Sequence, residues 1–142
     1  MAIDADDITL ILSGVTILQN LDIEIISDIA KQVQHAFFAA EQTIIQQGQQ
    51  GTRLYIIYNG MVEVQIPDGH GQIKRRIKLN KGAVVGEISL LSNTTYSANI
   101  VALTDTTALY LERGQFIHLI ERHKAFAETM TNLMGSRMAQ NG

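Results

Sequence analysis

Val85-Gly86-Glu87-Ile88-Ser89-Leu90-Leu91-Ser92-Asn93-Thr94-Thr95-Tyr96-Ser97-Ala98 decides how the rest of this sequence is read. A glycine opens it, a carboxylate follows, and one turn of mostly apolar residues leads into a short polar run. Glycine at the end of a strand lets the backbone approach a ligand closely, because no Cβ intervenes. A helical turn from Glu87 to about Ser92 aims free N–H groups at whatever lies beside Gly86. Glu87 offers two acceptor oxygens to a hydroxyl, and Ser97 adds a hydroxyl and an N–H. Taken alone, the same residues also describe a plain tight turn with an acidic residue favouring a helix start.

On either side of this stretch the hydrophobic period changes twice. Before about residue 35 it is helical: Asp4 to Asp7 supply capping residues for Ile8, Leu10, Ile11 and Leu12. A second cap at Asn20-Leu21-Asp22 precedes Ile26, Ile29, Ala30 and Val33 at i, i+3, i+4 and i+7. From 36 to about 112 the period is two. Phe37-Phe38, Thr43–Ile45, Leu54–Tyr58, Val62–Ile66, Ile77–Leu79, Ile100–Leu103 and Ala108–Leu111 read as short strands, separated by Gly, Asn and Asp turns. Among those turns, Asn59-Gly60 predicts a two-residue hairpin with positive φ at both positions. From about 114 to 139 the helical period returns, with Phe116, Ile117, Leu119 and Ile120, then Phe126, Met130, Leu133, Met134 and Met138. The order predicts an α+β fold, mainly β: one domain over 1–142, a jelly-roll β-roll of about eight strands flanked by N- and C-terminal helices.

Composition narrows the function classes. With 142 residues, 46% of them hydrophobic, and 18% charged, the chain can bury a core of its own. A net charge of −3 argues against a nonspecific nucleic-acid or membrane surface. The absence of cysteine removes disulfides, thiolate nucleophiles and cysteine-held metals. The acidic start, Asp4 to Asp7, does not resemble a signal peptide, and no apolar run reaches the roughly 18 residues of a membrane span. A cytoplasmic protein is expected. His118 and His123 do not share a helix face as metal ligands would. Lys74-Arg75-Arg76 reads as a solvated strand edge. No nucleophile elbow, Walker loop or zinc-protease motif occurs, so no enzyme, cofactor or metal is expected.

The quoted stretch resembles the phosphate-binding cassette of the cyclic nucleotide-binding domain family, seen in catabolite activators and regulatory subunits of protein kinase A. Val85 to Leu90 matches its Phe-Gly-Glu-Leu-Ala-Leu half and Ser97-Ala98 its end, whereas Thr95-Tyr96 stands where the family has Pro-Arg. Ala40 to Ile44 with Gln47-Gly48, Leu54 to Ile57 with Gly60 and Val62, and Arg113 with Phe116 also fall in the family's order. The resemblance implies a regulatory domain that couples ligand occupancy of Gly86–Ala98 to its last helix, with cAMP or cGMP as the possible ligand. Gly86, Glu87 and Ser97 carry over as ligand-binding residues, with backbone contacts from Ile88, Ser89 and Ala98. The family arginine does not carry over. Its loss costs about ten- to a hundredfold in affinity.

Three roles for Tyr96 stay open at this point: filling the pocket, donating its hydroxyl to a ligand, or shaping a site for a different small molecule. No lysine or arginine lies between Ala83 and Glu112, and Lys78 and Lys81 are the nearest candidates for a replacement cation. The last-helix stripe of Phe126, Met130, Leu133 and Met134 is a candidate homodimer seam. That makes a ligand-free dimerisation or docking domain the alternative.

Overall fold

The chain is described by a computed structural model covering residues 8, 9, 12–15 and 18–141, with side chains as far as Arg137. The predicted caps at Asp4 to Asp7 and the side chain of Met138 fall outside these residues. A helix α1 (Ile23–Gln32) is followed by strands β1 (Gln34–Phe38), β2 (Thr43–Ile45), β3 (Arg53–Asn59), β4 (Val62–Pro67), β5 (Ile73–Leu79) and β6 (Val84–Val85). Then come α2 (Glu87–Ser92), β7 (Asn99–Ala102), β8 (Thr106–Glu112), α3 (Arg113–Arg122) and α4 (Lys124–Asn141).

The strands form two four-stranded antiparallel sheets, in the orders β1-β8-β3-β6 and β2-β7-β4-β5. The first sheet is covered on both faces, which is why Leu54-Tyr55-Ile56-Ile57 is apolar without a break. Leu54 and Ile56, with Leu109 and Leu111 of β8, pack on Ile25, Ile29, Phe116, Leu119, Phe126 and Met130 of the helices. Tyr55 and Ile57 turn the other way, into the roll, and meet Ile45, Val62, Val85 and Ile100. At the outer edge of the second sheet, β5 keeps Lys74, Arg75, Arg76 and Lys78 exposed, as expected of a solvated edge.

Two differences from the sequence reading have clear causes. Asn59-Gly60 is not a hairpin: β3 and β4 lie in different sheets, and of the two residues only Gly60 has positive φ, at 109°. The turn is a corner between sheets. A Cβ at Gly60 would lie 2.6 Å from the Asp105 carbonyl oxygen, so the close crossing requires glycine. The one strand absent from the sequence reading, β6, is only two residues long, too short to show a period. The α1 face runs through Ile25, Ile26, Ile29 and Ala30, and Val33 lies just beyond the helix as its C-cap.

Candidate ligand-binding site

Gly86 ends β6 at φ 93° and starts α2. A side chain there would place its Cβ 2.7 Å from the Arg53 carbonyl oxygen, so this crossing of β3 also requires glycine. The loop after α2 is pinned back to it. Ser89 Oγ donates to the Thr95 carbonyl at 3.1 Å, and the Thr94 N–H donates to the Ser89 carbonyl at 3.0 Å. All seven residues expected at the site (Gly86, Glu87, Ile88, Ser89, Tyr96, Ser97 and Ala98) line one cavity of about 320 Å³. Its apolar wall comes largely from the roll, including Val64, Ile77 and Leu79, and α4 supplies Leu133, Ser136 and Arg137.

Tyr96 plays neither of the first two roles open at the sequence level. It is buried, and its hydroxyl donates to the Arg53 carbonyl at 2.8 Å while accepting from the N–H groups of Arg53 (3.0 Å) and Thr52 (3.2 Å). A phenol has one proton and two lone pairs, so that hydroxyl has nothing left to offer a ligand. Nor does the ring fill the cavity, which remains open beside it. Tyr96 is a wall that ties the cassette to the start of β3.

A cation from outside the cassette reaches the same cavity. Nη1 of Arg137, on α4, donates to both carboxylate oxygens of Glu87, at 2.9 and 3.1 Å. The Glu87 side chain is 2% exposed and that of Arg137 26%. Burial pushes the Glu87 carboxyl above the ordinary carboxylate range, and Arg137 and the residue's own backbone N–H offset part of that rise. Among the described lining residues, Glu87 and Arg137 are the only charged ones. Lys78 and Lys81 are exposed and do not line the cavity; Lys78 sits opposite Glu63 on β4. A search confined to the neighbourhood of the cassette misses Arg137. The available signal was periodicity: Arg137 stands four residues after Leu133 and seven after Met130, on the helix's apolar stripe.

The site's arrangement is a glycine-backed turn, a buried acid, an open cavity and a helix laid across it, on a two-sheet roll. A family model for the cyclic nucleotide-binding domain matches residues 35–123. The chain belongs to the cyclic nucleotide-binding domain family. It is 32% identical over 107 residues to human cGMP-dependent protein kinase 2, covering 74% of this chain and 14% of that protein. It is 31% identical over 107 residues to the cyclic AMP receptor protein of Thermus thermophilus, covering 75% of this chain and 50% of that protein. A solved structure of the regulatory subunit of a cAMP-independent protein kinase A from Trypanosoma brucei, a triple mutant bound to cAMP in the A site, superimposes with a TM-score of 0.73 at 27% identity. That match covers 91% of this chain and 51% of the other. The chain therefore spans about half the length of two of these relatives and a smaller share of the kinase. Domains of this family are not themselves catalytic. No helix among the described residues is long and apolar enough to cross a membrane, and no cluster of metal-ligating side chains occurs among them.

The expected dimer stripe divides. Phe126 and Met130 are 2% and 1% exposed within the chain's own core, while Leu133 and Met134 are half-buried. In this conformation Phe126 and Met130 have no surface to give a second copy. His123, unassigned by the sequence reading, sits between α3 and α4, and its Nε2 lies 2.8 Å from Asp28 of α1.

Proposed function

We propose that this domain is a cytoplasmic regulatory sensor in which occupancy of the Gly86–Ala98 cassette is passed to α4. The observation that carries the reading is the contact of Arg137 with Glu87. It makes the helix part of the site's wall, so a ligand that engages Glu87 acts on the helix directly. Ligand then favours one packing of α4 over another, a population shift set by its differential affinity for the two. Binding of cAMP or cGMP is weakened or altered relative to the family, since Tyr96 replaces the cassette arginine. The Trypanosoma brucei protein supports this part, because its cAMP-bound form is a mutant that gains an arginine.

Calorimetric titration with cAMP and cGMP tests the proposal. Heat at micromolar to high-micromolar nucleotide is expected. Silence up to millimolar would leave the alternative, a ligand-free docking or dimerisation domain. That alternative has its own support in the fully committed hydroxyl of Tyr96.

A further inference from the structure

The cavity has more hydrogen-bond donors than its one acid can use. Glu87 occupies only Nη1 of Arg137, and among the described residues Nε and Nη2 have no protein partner. The backbone N–H groups of Ser97 and Ala98, on the same cavity, donate to no protein acceptor among the described residues. Without Arg137 the only charge among the described lining residues is the Glu87 carboxylate, and an anion placed there would meet like charge in a partly dry space.

We propose, building on the sensor reading, that Arg137 supplies from α4 the guanidinium the cassette lacks. It pairs with a singly charged phosphodiester ligand while still holding Glu87. Arg137 and Glu87 together are neutral, so the ligand brings the one unbalanced charge and the unused N–H groups receive it. Glu87 keeps lone pairs for a sugar hydroxyl on the same ligand. Placing this cation on the helix instead of the roll has a consequence. An anionic ligand grips α4 as it binds, whereas an uncharged one contacts the roll without that hold. Arg137 is thus a specificity-determining residue for ligand charge as well as a coupling residue.

The test titrates the wild type, Arg137→Gln and Arg137→Lys with cAMP and cGMP, and with adenosine and guanosine as their uncharged counterparts. Circular dichroism confirms that each variant is folded. The expected result is cyclic nucleotide binding weakened about ten- to a hundredfold by Arg137→Gln. Arg137→Lys should lose less, and the weaker nucleoside binding should change little in either variant. Equal cyclic nucleotide affinity in wild type and Arg137→Gln would overturn the assignment of Arg137 and leave the sensor reading standing. Nucleosides binding as tightly as cyclic nucleotides would overturn the anionic ligand class. Binding of none of the four would remove the sensor reading itself, and this inference with it.

Discussion

Two contacts between an acid and a basic side chain tie the C-terminal helices to the rest of the molecule, and their carboxyls shift in opposite directions. Glu87, paired with Arg137 on α4, is almost fully buried, and its carboxyl is pushed up. Asp28 on α1, paired with His123 at the break between α3 and α4, has a side chain 20% exposed, and its carboxyl is held down. At Asp28 the hydrogen bond from His123 is the largest influence, aided by Gln32 and by Arg122 at 3.5 Å, and these exceed the cost of burial. At Glu87 burial exceeds the help from Arg137. The same kind of contact is therefore a firm anchor at one end of α4 and a poised one at the other. A poised contact suits a site whose occupant is meant to change.

Removing one partner of each contact sharpens that contrast, and the larger effect is expected at the cassette. Arg137→Gln leaves Glu87 buried without its partner, at a cost of about 1–3 kcal/mol at neutral pH, reduced because the arginine is partly exposed and the carboxyl can take up a proton. The lost partner raises the Glu87 carboxyl further, so the folded variant binds more protons than the folded wild type at pH values above the ordinary 4.5. Its stability deficit should therefore grow as pH rises through that region and shrink toward pH 4. Urea denaturation at several pH values measures this, and a deficit independent of pH would mean that burial does not dominate at Glu87.

Asp28→Asn should cost less, about 1 kcal/mol, because the site is wetter and the asparagine keeps part of the hydrogen bonding. Here the folded-state carboxyl lies below its ordinary 3.8. The contribution is present in full above that value and disappears as pH falls through the depressed one. The same denaturation series should thus place the two pH windows on opposite sides of pH 4. A deficit for Asp28→Asn that changed only above pH 4.5 would erase the contrast.

How much of this was legible in the sequence follows from the range over which each residue acts. Helix faces and strands are local patterns, and Ile26-x-x-Ile29-Ala30 and Leu54 to Ile57 announced themselves. The glycine and acid of the cassette were legible through family resemblance, since a Gly-Glu before one helical turn says little alone. Asn59-Gly60 was misread because a tight turn does not reveal whether the strands it joins share a sheet. Tyr96 could not be placed because its partners, Thr52 and Arg53, lie 44 and 43 positions away and use backbone groups that carry no side-chain signature. Arg137 is 50 positions from Glu87, and only its place on an apolar helix face hinted at a buried partner.

Whether α4 answers to the cassette is tested most directly by amide hydrogen exchange with and without saturating cAMP or cGMP. Exchange in the segment from Leu133 to Arg137 should slow severalfold on binding, with little change around Asp28 and His123. Exchange that slows only within Gly86 to Ala98, with Leu133 to Arg137 unchanged at full occupancy, would contradict it.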